Sequence, residues 1–519
     1  MSDIANSTEG KVSVWKTFPN AFWVANVMEI FERMGWYGFY AVSSLYLSGA
    51  IVDGGLGFSS DDRGVIQGLA TFFLYLFPAV FGALADRYGF QRMFVAASLV
   101  MIPGYLLLSL PTTVGGFLGV YLLVAVGHGM FKPVVISTVA KSVTEKTGSM
   151  GFGIFYMMVN VGGWLGPMFA AVVRGWDWKY VFYASAGWSL LVGVIALIFY
   201  KEPPRDADAE ARRSLSEVFA GMIEVVGNLH FFILVSGTLS VLVVGNKLKN
   251  PQKLLIVAGS WLVLNIIWEI VCRVKRSSAD GAWYFQPIRV GEGRYLTFLL
   301  LMSGFWTSFN QIFMTLPLYI RDYVDTSDLI RSLGPVGGWV TSVANNAGVD
   351  TTEWGRAVLE HGQVKPEHLI NLNAFGIIIG QVAISYLARK MAPLSTMILG
   401  TLITVLSFVL FLVDRGGWMI VIAVLVFSVG EMLASPKSKE YAGRIAPPNK
   451  VGMYMGYFYW CVALGNLFGG LLSGRMYGHF GPEGVDNPGI MWLMFAGLAL
   501  ASAIALGIYN RWVQRNPVS

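Results

Sequence analysis

Long apolar runs separated by short polar turns recur from residue 18 to residue 510. A run of about 20 apolar residues in a helix crosses about 30 Å of hydrocarbon. The pattern predicts helices over 18–47, 64–85, 93–110, 117–140, 151–173, 179–200, 229–245, 254–272, 295–320, 369–388, 394–413, 417–434, 452–473 and 489–510. About fourteen spans define an all-α membrane protein. Gly and Pro recur within them (Pro78, Pro103, Pro133, Pro167, Pro317), as membrane helices allow. Two polar stretches stand apart: a charged one at 201–228 and one rich in Gly, Asn and acidic residues at 321–366.

Composition narrows the class. The chain is 55% hydrophobic and only 13% charged, half the charge of a soluble globular protein. Its net charge of +6 is spread through short loops rather than gathered in a patch, so no nucleic-acid partner is expected. Membrane orientation explains the spread. Placing both termini in the cytoplasm puts most of the 37 basic residues inside, with Lys247, Lys249 and Lys253 as an exception. Cys272 and Cys461 are far apart in sequence and lack a CxxC pattern or a His partner, so neither a disulfide framework nor a metal site is indicated. The first 17 residues carry no apolar core with a cleavage site, so the first span is expected to serve as its own anchor. No Walker-type loop precedes a strand and no HExxH pattern occurs, so neither a nucleotide-driven pump nor a metalloenzyme is indicated.

Glu29, Glu32, Arg33, His128, Lys132 and Glu431 are ionisable residues inside the apolar runs. A charge at such depth costs several kcal/mol and usually faces a wet cavity or a partner. On a helix, i+3 and i+4 steps link Glu29, Glu32, Arg33, Trp36, Tyr37 and Tyr40 into one stripe. Two carboxylates against one guanidinium leave one acid free to exchange a proton, whereas a purely structural ion pair needs only one. His128 and Lys132 share a face, and the first-helix carboxylates are the expected partners of the Lys132 ammonium. For His128, a polar filler of a helix contact is at least as good a reading as a proton carrier. These features imply a protein that moves a polar solute across a membrane.

Gly82-Ala-Leu-Ala-Asp86-Arg87-Tyr-Gly89-Phe-Gln-Arg92 resembles the cytoplasmic loop motif of the major facilitator superfamily. Glu29-x-x-Glu32-Arg33-x-x-x-Tyr37-Gly38 resembles the first-helix signature of its proton-dependent oligopeptide transporter family. Gly127-x-Gly129-x-x-Lys132-Pro133, Phe155-Tyr156-x-x-Val159-Asn160-x-Gly162 and Gly430-Glu431-x-x-x-Ser435-Pro436 resemble the family's motifs in the fourth, fifth and tenth helices. A further match runs from Met455-Gly456 to Leu464-Gly465-Asn466.

The resemblance implies two six-helix bundles, at 18–200 and 295–510, with an inserted transmembrane hairpin at 229–272. Cytoplasmic linkers at 201–228 and 273–294, an extracytoplasmic loop at 321–368, and cytoplasmic ends at 1–17 and 511–519 complete the expected organisation. By resemblance, the protein is a monomeric, non-enzymatic symporter in a bacterial inner (plasma) membrane. It imports small peptides by alternating access, with the proton as coupling ion and no other cofactor. Glu29, Glu32 and Lys132 would couple protons. Arg33 and Lys132 would take the substrate carboxylate, Glu431 its amino group, and Tyr37, Asn160, Asn310 and Asn373 would complete the pocket. Asp86 and Arg87 would gate.

The chain also departs from that pattern. Asn310 stands in Phe305-Trp306-Thr-Ser-Phe309-Asn310-Gln311 where the family has a glutamate used for coupling. Phe458 replaces a tryptophan, Ile370-Asn371-Leu372-Asn373-Ala374 alters the eighth-helix motif, and Lys437 and Lys439 replace an apolar stretch. A carrier of another carboxylated or anionic solute, with altered coupling, and a solute receptor remain the alternatives.

Overall fold

A computed structural model describes residues 17–144, 147–202, 230, 231, 233, 234, 237, 238, 241, 251–274, 287–288, 293–346, 354–446 and 451–515. The fold is all-α, because only a helix satisfies its own backbone polar groups in hydrocarbon. Among the described residues, nine helices are long and apolar enough to cross a membrane.

The first bundle consists of α1 (Asn20–Ser48), α2 (Ser60–Tyr88), α3 (Phe90–Leu107), α4 (Val114–Lys141), α5 (Gly148–Val173) and α6 (Lys179–Ile198). Helix α1 packs on α5 and α6, α4 on α2 and α3, and α3 on α6. Aromatic rings fill the core, with Phe39, Phe117 and Tyr121 fully buried. Between α2 and α3, Gly89 adopts φ 100°, a left-handed conformation open to glycine. This junction is tied to the end of α6: the Gln91 N–H donates to Glu202 Oε1 at 3.0 Å and its side chain to the Ala196 carbonyl at 3.0 Å.

The inserted hairpin expected at 229–272 is described in part. Helix α7 (Pro251–Val274) forms its second arm. Of its first arm, residues 230, 231, 233, 234, 237, 238 and 241 are helical, and the remainder lies outside the described residues. The Trp261 indole donates to Thr238 Oγ1 at 3.1 Å, and Phe231 stacks on Trp460 with ring centroids 4.4 Å apart.

The second bundle opens with α8 (Gly293–Phe309), α9 (Gln311–Met314) and α10 (Leu316–Tyr323). The hydrophobic pattern predicts one helix over 295–320, but the chain breaks at Asn310 and Thr315. Pro317 explains the second break, since it lacks the N–H that would bond four residues back. Carbonyls at this break are bonded from the other bundle, the Phe313 carbonyl by Ser44 Oγ at 3.4 Å. Ser44 Oγ donates to the Met314 carbonyl at 2.9 Å, and Arg63 Nη1 donates to it at 2.7 Å.

The stretch expected as a loop at 321–368 contains α11 (Ser327–Asn346), α12 (Trp354–Val358), a two-stranded hairpin of β1 (Leu359–Glu360) and β2 (Gln363–Val364), and α13 (Pro366–Ile370). Leu329, Leu333, Val336 and Trp339 recur at helical spacing in α11, but interspersed Gly and Asn hide the period. His361 and Gly362, both with positive φ, form the tight hairpin turn. Helices α14 (Leu372–Leu387), α15 (Pro393–Leu410), α16 (Gly417–Ile445), α17 (Val451–Phe480) and α18 (Pro488–Arg515) complete the bundle. Its core centres on Trp492 against Phe408, Phe411 and Tyr319.

The bundles meet along α2–α17 and α5–α14. Glycines make the first contact possible. A Cβ on Gly64 would lie 2.3 Å from the Gly470 carbonyl oxygen, and one on Gly470 would lie 2.4 Å from that of Gly64. Small residues of this kind let membrane helices touch backbone to backbone.

Candidate functional site

A cavity of about 200 Å³ lies between the bundles. Five charged residues line it: Glu29 and Arg33 from α1, Lys132 from α4, and Glu431 and Lys439 from α16. Tyr37, Tyr75, Tyr156, Asn160, Asn373 and Tyr459 add polar groups, and Trp306, Phe309 and Phe313 add apolar wall.

The polar stripe expected along α1 divides in two. Steps of four, each turning about 40° from the last, carry Glu29, Arg33, Tyr37 and Ala41 along the cavity. Glu32, Trp36 and Tyr40 form a parallel row about 60° away, directed into the bundle. There Trp36 stacks on Tyr40 and meets the His128 ring edge-on.

This division gives the two acids different surroundings. Glu32 is 1% exposed and receives two bonds from the Arg33 guanidinium, one of them at 2.5 Å. His128 Nδ1 lies 2.5 Å from Glu32 Oε1, and its Nε2 lies 2.7 Å from the Tyr105 hydroxyl. A carboxylate can only accept, so Nδ1 carries the proton, and in the neutral ring Nε2 accepts from Tyr105. Glu29 is held more loosely. Its Oε1 is 3.3 Å from Arg33 Nε, and its Oε2 has no hydrogen-bond partner among the described residues.

Lys132 departs from the expectation that it would pair with these carboxylates. No carboxylate lies within 4.0 Å among the described residues; instead its Nζ stands over the Tyr75 ring at 4.5 Å. The ring face supplies a diffuse negative charge. Across the cavity, Asn373 Nδ2 donates to Glu431 Oε2 at 3.0 Å and to Ser428 Oγ at 3.1 Å. Asn160 Nδ2 donates back to the Tyr156 carbonyl at 2.8 Å.

Of the residues singled out from sequence, Glu29, Arg33, Tyr37, Lys132, Asn160, Asn373 and Glu431 come together on the cavity wall. Asn310 does not line it. Its Nδ2 donates to the Trp306 carbonyl at 2.8 Å, and its Cβ lies where a side chain on Gly469 would touch it. Arg87 lies in the last turn of α2 with its guanidinium 5.6 Å from the Tyr88 ring centroid. The Asp86 side chain lies outside the described residues.

The sequence reading missed a polar network that joins the bundles at the end carrying the α1–α2 connection. Arg174, at the end of α5, bonds Glu367 through Nε at 2.5 Å and Glu360 through both terminal nitrogens at 2.8 and 2.7 Å. Lys365 Nζ donates to the Ala171 carbonyl at 2.7 Å. Nearby, Arg63 is fully buried and bonds Gln67 Oε1, the Met314 carbonyl and Ser473 Oγ. Trp178 donates to the Asp53 carbonyl at 3.1 Å, fixing this network at that end. The signal in sequence was faint, because Arg63 and Arg174 border apolar runs and look like ordinary loop charges.

Replacing His128 by Ala should lower thermal stability. It removes the acceptor for the buried Tyr105 hydroxyl and one of the donors to Glu32, which keeps the Arg33 fork, at a cost of about 1–3 kcal/mol for the hydroxyl left unpaired. A melting curve of the detergent-solubilised variant that overlays the wild type would refute this.

The profile of the Major Facilitator Superfamily matches residues 27–358 and 365–518. Peptide transporter YePEPT of Yersinia enterocolitica is 23% identical over 519 aligned residues, covering 92% of this chain and 91% of its own. Dipeptide and tripeptide permease A of Escherichia coli is 21% identical, covering 94% of this chain and 90% of its own. A crystal structure of the peptide transporter POT with sulfate superposes with TM-score 0.66 at 19% identity, covering 96% of this chain and 95% of that one. A POT family transporter with 5-aminolevulinic acid gives TM-score 0.65 at 18% identity, covering 96% and 100%. With the two-bundle fold shared by these solved structures, the superfamily match across nearly the whole chain shows that the chain belongs to the major facilitator superfamily.

Proposed function

We propose that the protein is a proton-coupled symporter that imports di- and tripeptides by alternating access. The observation that carries this is the charge arrangement of the cavity: Arg33 and Lys132 from one bundle, and Glu431 from the other. A peptide zwitterion needs a cation for its carboxylate, an anion for its ammonium and amide partners between them, which Asn160 and Asn373 provide. Because opposite ends of the substrate are held by different bundles, its binding is sensitive to how far apart the bundles stand. That is what a carrier that rocks about a central site requires. Each chain contributes a complete cavity, which supports a monomeric unit of transport.

Glu29 is the acid best placed to exchange the coupling proton, since it lines the cavity and one of its oxygens is unbonded. Lys132, on the same cavity, would tune it. With the termini in the cytoplasm, the network of Arg63 and Arg174 lies outside and is closed, so the conformation is one sealed from the exterior. Purified protein in proteoliposomes should accumulate labelled dipeptide when the exterior is acid, and a protonophore should prevent accumulation. Equilibration without accumulation, for every peptide that binds, would leave a facilitator or a receptor.

Asn310 makes coupling testable apart from binding. It does not line the cavity, so Asn310→Ala should retain gradient-driven accumulation within about twofold. Loss of accumulation with peptide binding retained would place coupling on α8 instead.

A further inference from the structure

We infer that Lys439 makes this transporter selective for peptides that carry an acidic side chain. The inference rests on the peptide reading above and adds the substrate class. Ser428, Glu431, Ser435 and Lys439 follow one another along one stripe of α16, and the last three line the cavity. Eight residues separate Glu431 from Lys439, about 12 Å along the helix axis, and the flexible lysyl stem can shorten that span.

The three cations of this part of α16 differ in how their charge is satisfied. Lys437 pairs with Glu440 at 2.8 Å, and Arg444 pairs with the same carboxylate. Lys439 has no carboxylate within 4.0 Å among the described residues; its Nζ lies 5.7 Å from the Tyr156 ring centroid. The cavity therefore has three cations, Arg33, Lys132 and Lys439, against two acids, Glu29 and Glu431. A neutral dipeptide brings one carboxylate and one ammonium. Its carboxylate serves Arg33 and Lys132, its ammonium serves Glu431, and Glu29 is already beside Arg33. Lys439 is the cation left over. A second carboxylate on the substrate side chain completes the balance, in a site where desolvation strengthens a charge-assisted hydrogen bond. A basic side chain would meet repulsion at the same place.

Competition for uptake by Glu-Ala and by its neutral isostere Gln-Ala tests this in proteoliposomes. Wild type should prefer Glu-Ala by about tenfold, the range of a hydrogen bond to a charged group. In Lys439→Gln the ratio should fall to about one, in Lys439→Arg it should persist, and in Lys437→Gln it should stay at the wild-type value. A wild-type ratio near one, or a preference that survives Lys439→Gln, overturns the inference. If neither dipeptide competes, the peptide reading fails separately. Thermal stabilisation by glutamate against glutamine then decides the role of Lys439: equal shifts, or none, overturn it.

Discussion

Replacing Glu29 by Gln is expected to abolish accumulation of peptide under a pH gradient while leaving counterflow exchange in place. The two carboxylates of α1 differ in what holds them. Glu32 has the Arg33 fork on one side and His128 on the other, so every proton it could take must displace a bond. Glu29 borders the cavity, keeps one contact to Arg33 at 3.3 Å, and has an oxygen with no partner among the described residues. A proton can arrive on that oxygen without dismantling the Glu32 cluster. Protonation then loosens Arg33 from Glu29 and changes what the guanidinium offers a substrate carboxylate, which links the two binding events. Glutamine keeps the shape and removes the titration. The accumulation ratio should fall to one, while exchange of labelled for unlabelled peptide continues. Retained accumulation would remove Glu29 from the coupling mechanism. The comparison with Glu32→Gln sharpens the result. That change strips a buried guanidinium of its main partner and should cost about 3–5 kcal/mol of stability, so it should appear first as poor folding.

The charged groups of this site were legible because charge inside an apolar run is conspicuous. Arg33, Lys132 and Glu431 could be named from sequence, and all three reach the cavity. What each one touches was less legible. Helical spacing placed Glu29 and Glu32 on one stripe, yet the 60° between adjacent rows separates an acid on the cavity from one sealed behind it. Lys132 was expected to meet carboxylates, but a tyrosine from α2, distant in sequence, stands under it. Asn310 sits at a break between α8 and α9, where periodicity no longer reports a face. Lys439 lies beyond Pro436 and beyond the end expected for its helix, so nothing local marked it as a cavity residue. Helix α11 was hidden by glycines within its apolar period.

Replacing Arg174 by Met should release the closed end of the molecule. This guanidinium is bonded to both Glu360 and Glu367 and links α5 of one bundle to the segment that leads into α14 of the other. Glu367 is 1% exposed. Without its partner it would be a buried carboxylate with no cation within 4.0 Å among the described residues, a loss of about 3–5 kcal/mol for the conformation that buries it. A conformation that exposes Glu367 to water avoids that cost, so the bundles should separate at this end. A shift of that size is enough to reverse a two-state population from mostly closed to mostly open. Ser44 reports the change, because it is fully buried here and bonded across the interface to Met314. With Cys substituted at Ser44, a membrane-impermeant thiol reagent should label the Arg174→Met background at least about tenfold faster than the wild-type background. Uptake should fall as well, since a cycle that cannot close this end cannot carry substrate through. Restoring a pair with opposite polarity, Arg174→Glu with Glu367→Arg, should recover part of the protection. Equal labelling in both backgrounds would mean that the glycine contacts of α2 and α17 hold the bundles together without the latch.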